Sequence, residues 1–462
     1  MNKLILFLLF TWFSGFAQKE ATNEMSYNEF LGFVKKYHPL VKSANLRNSE
    51  AQANLMQARG GFDPKIEVDY SKKQFKDKEY YSILNSSFKI PTWYGIDLKA
   101  SFDNADGIYL NPQNTLPNQG LYALGINVPL GQGLIINQRM ADLRKAKIQM
   151  QWSESERKLQ AILVLHDASV AYFNWKKNYE EFQLYQNYLV NAKTRFKAIQ
   201  TLIQQGDKPA IDSIEAGIVV NNRLLSLEDS TLKLTKSKLE LSNFLWLENN
   251  IPLELSDAMV PESKLELSIQ ETLKTNELLQ QEFTIDTHPK INALQNKIAI
   301  LEIDRKLKSN LILPKIDIGY SYLSEKSALD SSRFQDYKIG LNFYFPLFLR
   351  KERGGLNLAK YKVQDAKWTL DIEKVQLSNK IISQKTEIQS LKNQIKITID
   401  LVKANEMMLK SEERLFFLGE SALFIINTRE NNLVSAQLAR IAIENRFYMS
   451  NSELFKIIAN PD

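Results

Sequence analysis

DPKIEVDYSK occupies residues 63–72 and LPKIDIGYSY residues 313–322, so the chain says nearly the same thing twice at an offset of 250 positions. Pro64 and Pro314, Lys65 and Lys315, Ile66 and Ile316, Tyr70 and Tyr320, and Ser71 and Ser321 are identical. Glu67 corresponds to Asp317 and Val68 to Ile318, both conservative exchanges. The same offset holds upstream, where His38-Pro39 matches His288-Pro289. Two matches in one register describe an internal repeat, and the rest of the chain is read against it.

Each copy alternates. Ile66, Val68 and Tyr70 point one way and Lys65, Glu67, Asp69 and Ser71 the other; Ile316, Ile318, Tyr320 and Tyr322 oppose Lys315, Asp317, Gly319 and Ser321. A period of two is a β-strand. A second alternating run follows each copy, YALGINVPL at 122–130 and YKIGLNFYFPL at 337–347, both ending in Pro-Leu. The first half carries an additional strand-like pair, about 79–90 and 93–103. It either joins a membrane sheet or forms an extracellular hairpin, followed by a long external loop at 104–120. Strands of about 9–11 residues with one apolar and one polar face suit a membrane barrel with a wet lumen. They suit a soluble sandwich equally well, so the segments between them decide.

Those segments read as very long helices. Asn137–Gln205 and Leu356–Leu418 contain no proline and no glycine. At ~1.5 Å per residue each spans roughly 95–105 Å, a length that needs coiled-coil neighbours. A glycine turn interrupts each one, in QQGDKPAID (204–212) and FLGESALFI (417–425). Gly206 and Gly419 permit the turns, Asp207 or Ser421 is placed to cap the returning helix, and Pro209 suits its first turn. The first returning helix, 210–248, has two columns at seven-residue spacing. They are Ile211, Ile218, Leu225, Leu232, Leu239 and Trp246, and Val220, Leu227, Leu234 and Leu241. The columns lie ~200° apart, which fits a helix between two neighbours in a ring, or one buried in a large bundle. Shorter helices at about 38–60 and 288–311 complete the two ascending paths, the second half closing circularly through 421–458.

Composition narrows the function. Lys and Arg interleave with Asp and Glu and the net charge is only +6 over 462 residues, without the basic block that nucleic acid would demand. No cysteine is present, so disulfides, thiol chemistry and an acylated N-terminal cysteine are excluded. His38, His166 and His288 stand outside any metal-ligand spacing, and no nucleophile or phosphate-loop pattern occurs. No catalytic residue, cofactor or metal site is expected, and His38 and His288 read as structural residues at helix starts. The N-terminus, MNKLILFLLFTWFSGFAQKE, has a basic start, an apolar stretch shorter than the ~20 residues of a membrane span, and a Gly15-Phe16-Ala17 cleavage pattern. Residues 1–17 therefore read as an export signal, and a membrane anchor is the competing reading.

These features together resemble the TolC family of outer-membrane efflux channels. The resemblance rests on the doubled architecture, on NVPLGQGLIINQRMADLRKAK and YFPLFLRKERGGLNLAKYK after the strand pairs, and on the Gly206 and Gly419 tips. It implies a mainly α protein with membrane β: a trimeric channel of one β-barrel and a long coiled-coil α-barrel, built from two internal structural repeats. It implies a homotrimer in contact with outer-membrane lipid in a Gram-negative bacterium, with a large periplasmic part. A periplasmic adaptor would dock at the helix tips Gly206, Asp207, Gly419 and Ser421, and an inner-membrane pump of RND, ABC or MFS type would supply the energy for efflux or type I secretion. Lys65, Glu67, Asp69, Lys315 and Asp317 would face the lumen. Asp212 fits the acidic position at the family's periplasmic entrance, but Ile425 and Ser421 depart from the charged pattern of the second half. Phe416, Phe417, Phe424 and Ile425 are accordingly the apolar entrance candidates, with packing between helices as the plainer role. The implied partition is an N-terminal belt and ascending helix (18–61), strands (62–130), a helical hairpin (131–250), an equatorial segment (251–287), a second ascending helix (288–312), strands (313–347) and a second hairpin (348–462). The competing function is an exported coiled-coil scaffold or adhesin.

Overall fold

A computed structural model describes residues 24–280, 283–325 and 335–458. The expected export signal lies outside the described residues. The chain opens with β1 (Glu24–Met25), α1 (Tyr27–Tyr37) and α2 (Pro39–Gly60), then β2 (Lys65–Phe75), β3 (Lys78–Pro91), β4 (Asp97–Asp106) and β5 (Leu121–Pro129). The 67-residue α3 (Gln138–Gln204) and α4 (Ile211–Ser242) follow, then β6 (Val260–Pro261), α5 (Leu265–Thr272), α6 (Thr275–Gln280) and α7 (Pro289–Asn310). The second half supplies β7 (Lys315–Glu325), β8 (Tyr337–Tyr344), the 68-residue α8 (Arg350–Phe417) and α9 (Leu423–Ile458). No described helix is long and apolar enough to cross a membrane.

The described residues form two units. One contains the described parts of Leu40–Leu163, Glu282–Ser383 and Lys456–Asp462. Its sheet has the order β2-β3-β4-β5-β7-β8, antiparallel throughout. The 79–103 pair thus sits inside the sheet, between β2 and β5. Lys76 and Asp77, both in the left-handed region, make the two-residue turn between β2 and β3. Beneath the sheet α2 packs on α3 through Phe62, Met140 and Leu143. On its other side α3 packs on α7 through Ile136, Ala141 and Leu307, and α7 reaches α8 through Lys290 and Glu373 at 2.5 Å. The helix order in this unit is therefore α2-α3-α7-α8, with α2 and α8 outermost.

The other unit takes the described parts of Met1–Pro39, Val164–Gln281 and Gln384–Phe455. An aromatic core of Tyr27, Phe30, Tyr172, Phe173 and Trp175 is almost fully buried. Tyr27 and Tyr172 meet edge to face with ring centroids 5.4 Å apart. The phenols are also satisfied: Tyr27 exchanges a 2.7 Å hydrogen bond with Ser169, and Tyr172 donates to the Met25 carbonyl at 2.6 Å. Lys176 donates to the Glu262 carbonyl at 2.9 Å, and β1 pairs in parallel with β6, so this core pins the N-terminal segment and the segment around β6 to α3.

Three local expectations change. The returning helix stops at Ser242 rather than near 248, so Trp246 leaves the heptad and bridges to Pro252. Asn249 and Asn250 both adopt left-handed backbone, which turns the chain back on itself. Gly354 and Gly355, expected to precede the second long helix, lie inside α8; at ~1 kcal/mol each, two glycines do not stop a helix held by tertiary packing. Tyr94 belongs to the turn at Gly95 and not to a strand, and β4 begins at Asp97 and continues to Asp106.

Candidate functional site: the sheet faces and the helix tips

Strand register sorts the sheet residues into rows. On one face Ile66, Phe88, Ala100, Leu124, Tyr322 and Tyr337 are consecutive cross-strand partners, and Ile90, Leu98, Ile126, Tyr320 and Ile339 form the neighbouring row. Ile66, Phe88, Leu98, Leu124, Ile126, Ile339, Leu341 and Phe343 are all exposed. A continuous apolar surface of this size on a protein is a contact surface.

The opposite face carries the five charged residues named from the sequence. Glu67 accepts from Lys89 at 2.6 Å and Lys315 pairs with Asp317 at 3.6 Å. The register adds residues that the alternation of single strands does not reveal. Lys65, Lys89, Lys99, Gly125, Ser321 and Lys338 form one cross-strand row with four lysines. Asp69, Asn85 and Asp103 form another. The lysine row and the Asp69–Asp103 row are visible only once pairing is known.

The two helix tips are built alike. Gly206 and Gly419 have φ of +81° and +79°. At the first tip the Gly206 amide donates to Ile203 and the Asp207 amide to Leu202; at the second the Gly419 amide donates to Phe416 and the Glu420 amide to Leu415. Both are the paired C-terminal bonds that a left-handed residue allows, which is why glycine stands there. Neither expected cap forms: α4 starts after Ala210 without a side-chain cap, and the Ser421 hydroxyl donates to the Glu412 carboxylate. Phe416 packs against the cluster of Ile199, Ala216 and Leu423, and the Lys208 ammonium lies 4.8 Å from its ring centroid. Phe417 is 93% exposed, and Phe424 and Ile425 are exposed as well, whereas Asp212 is half-buried.

Two of the three histidines, His38 and His288, sit at helix ends, and His166 lies within α3. His288 is 3% exposed. Its Nδ1 accepts from the Lys290 amide at 3.1 Å, and its Nε2 lies 2.8 Å from the Ile457 carbonyl. The ring is therefore neutral with the proton on Nε2, capping the first turn of α7 and the last turn of α9. His38 ends α1, stacks on Phe244 and hydrogen-bonds the Asn243 backbone. Burial is the chief cause holding both below the ordinary histidine range, and Lys290 pushes His288 further down. An unfolded histidine, titrating near 6.5, binds protons before the folded one does, so stability is complete above that pH and falls as the pH drops below it. His288→Asn keeps the cap but cannot charge. Thermal unfolding followed by circular dichroism between pH 7.5 and pH 5 is expected to show a smaller acid loss in this variant, and an unchanged profile would exclude His288 as a contributor.

Comparisons with known proteins agree with this geometry. The outer membrane efflux protein family matches residues 34–245. No curated protein matches the sequence. Three solved structures are similar in fold. The Campylobacter jejuni CmeC outer membrane channel has a TM-score of 0.65 and 14% identity, with 94% of this chain and 85% of that chain covered. The Vibrio cholerae outer membrane protein VceC has a TM-score of 0.65 and 14% identity, with coverage of 94% and 96%. The open-state Neisseria gonorrhoeae MtrE outer membrane channel has a TM-score of 0.64 and 13% identity, with coverage of 94% and 88%. The fold is that of the outer-membrane channels. Residues 34–245 thus match the outer membrane efflux protein family, and the chain as a whole shares the fold of outer-membrane channels.

Proposed function

We propose that three copies of this chain assemble into one passive exit duct through the outer membrane of a Gram-negative bacterium. The observation that carries this reading is the open six-stranded sheet, with an exposed apolar face and with β2 and β8 unpaired at its edges among the described residues. Unpaired edges are untenable in lipid, and closure with the sheets of two further copies removes them. Six strands from each copy give a barrel of eighteen, in which the apolar face meets lipid and the charged face lines the lumen. Exposed Trp93, Tyr94 and Phe348 near the helix end of the sheet, and Phe75 and Tyr109 at the other, fit the aromatic girdles of such a barrel.

The helices point to the same assembly. On α4, Leu234 and Leu241 are buried within the protomer, while Ile211, Ile218, Leu225, Leu232 and Leu239 are exposed. On α8, Tyr361, Trp368, Val375 and Ile382 form a second exposed column at seven-residue spacing. Each is a coiled-coil seam that its own chain leaves uncovered.

In this reading residues 1–17 direct export, 62–130 and 313–347 supply membrane strands, and 251–287 form a belt on the periplasmic helices. The hairpins 131–250 and 348–462 reach down to the tips, where Gly206, Asp207, Gly419 and Ser421 meet a periplasmic adaptor. An RND, ABC or MFS pump in the inner membrane delivers cargo for efflux or type I secretion. Asp212, Phe424 and Ile425 border the entrance, while the packing of Phe416 favours a structural role for it. The duct catalyses nothing, and nucleic acid is not among its partners. An exported scaffold would leave the apolar sheet face without a role.

Two substitutions on adjacent residues of β8 test the membrane reading. Leu341→Arg places a charge on the apolar face and Asn342→Arg on the polar face. Insertion into phospholipid vesicles is expected to weaken by about 2–4 kcal/mol for Leu341→Arg and to be nearly unchanged for Asn342→Arg. Equal behaviour of the two variants would contradict a lipid-facing sheet.

A further inference from the structure

The stretch YFPLFLRKERGGLNLAKYK (344–362) leads from β8 into α8 and carries an unbalanced charge that a passive duct does not need. Arg350, Lys351 and Arg353 open α8 with Glu352 as the one acid among them, in a chain whose net charge is only +6 over 462 residues. The first turns of α3 hold a like excess, Arg139, Arg144, Lys145 and Lys147 against Asp142. There carboxylates answer part of it: Arg139 pairs with Asp97 at 2.8 Å and Lys145 with Asp304. At the start of α8 they do not. Arg350, Lys351 and Arg353 are exposed, and none makes an ion pair among the described residues.

The residues just before them are apolar and equally uncovered. Leu341 and Phe343 of β8 lie on the apolar sheet face, and past the strand Phe345, Leu347 and Phe348 are exposed as well, Leu347 at 86%. The Arg350 guanidinium lies over the Phe348 ring, 5.2 Å from its centroid, so the last apolar side chain and the first cation form one surface. Two chemistries therefore meet where the sheet ends: apolar groups that suit acyl chains, and cations that suit phosphate. Basic side chains placed just beyond a membrane-embedded segment are drawn to anionic lipid. Arginine can offer a phosphate two parallel N–H bonds, and lysine adds a point charge.

Resting on the lipid-facing reading of the sheet, we propose that Arg350, Lys351 and Arg353 bind the phosphate groups of anionic phospholipid at the rim where the apolar face ends, with Leu347 and Phe348 against the acyl chains. A lipid-facing sheet alone accepts any phospholipid. The three cations add a preference for the anionic ones, and they sit on the helical side of the sheet, away from the helix tips.

The test reconstitutes the full-length protein in phosphatidylcholine vesicles with a trace of spin-labelled phosphatidylglycerol or spin-labelled phosphatidylcholine. Electron paramagnetic resonance then measures the lipid whose motion the protein restricts. Phosphatidylglycerol is expected to be restricted with about a threefold preference over phosphatidylcholine, averaged over all lipid at the protein surface. Arg350→Gln, Lys351→Gln and Arg353→Gln combined are expected to abolish that preference with circular dichroism unchanged, and Lys351→Gln alone to reduce it. Restricted lipid without a preference, as when a neighbouring copy covers these side chains, would overturn the lipid assignment alone. So would a preference that the triple variant keeps, or one that inorganic phosphate removes and chloride of equal ionic strength does not. No restricted signal from either lipid would contradict the membrane reading itself, and the assignment with it.

Discussion

Glu430→Ala is expected to destabilise the fold by about 3–5 kcal/mol, the cost of leaving buried charge without its partner. Glu430 is 1% exposed. Its carboxylate accepts from Arg195 at 2.6 Å and from Arg223 at 3.2 Å, which ties α9 to α3 and to α4 at one point. Arg223 is itself buried and also donates to Asn431 at 2.6 Å, while the second carboxylate near Arg195, Glu413, is more distant at 3.6 Å. Removing the shared carboxylate strands two guanidinium groups between helices, where water cannot replace it. The buried Asn427 that donates to Glu215 at 2.8 Å belongs to the same network and is expected to lose order with it. Chemical denaturation monitored by circular dichroism measures the change. A loss below about 1 kcal/mol, the range of exposed ion pairs, would show that the network is solvated in solution and that the three helices are held by their apolar contacts alone.

The second large effect concerns assembly. Leu225→Glu combined with Leu232→Glu is expected to convert the proposed trimer to monomer without unfolding the protomer. Both leucines are exposed in the single chain, 72% and 54%, so little contact within the protomer is lost. In the proposed ring each is buried by the adjacent copy, a gain of roughly 1.5–3 kcal/mol per side chain at each of three interfaces. Glutamate reverses that gain and introduces like charges along one seam. Native mass spectrometry of the detergent-extracted protein reads the outcome directly. Persistence of the trimer would mean that α4 faces solvent and that the interface lies elsewhere.

The parts of this architecture that are legible in the sequence are those set by local periodicity. The strands around Ile66 and Ile316, the two long helices and the Gly206 and Gly419 tips all follow from spacing, because a strand repeats every two residues and a left-handed helix end favours glycine. The heptads of α4 are equally visible, but which column is covered is not, since that depends on the neighbour present. The lysine row requires knowing that Lys89 pairs with both Lys65 and Lys99, and pairing is a property of the assembled sheet. Glu430 is inconspicuous in the sequence for the same reason: its two arginines lie 235 and 207 residues away. The end of α4 is readable in principle from Asn249-Asn250 followed by Pro252, a turn signal that the strong heptad register masks.

The pairing of β5 with β7 has a consequence for how the protein is made. Leu121 of β5 lies opposite Glu325 of β7, so completing the sheet requires that the 203 intervening residues already have left the export machinery. Until then β5 stands as a bare hydrogen-bonding edge on a four-stranded fragment whose apolar face has no lipid. Long-range strand pairing of this kind is slow, and its precursors aggregate readily. Within each helical hairpin the contacts join near neighbours, but the contacts between hairpins, such as Glu430 with Arg195 and Arg223, wait as long. Biogenesis is thus ordered by topology: each hairpin can form as it emerges, while the sheet stays unfinished until the second half of the chain has followed.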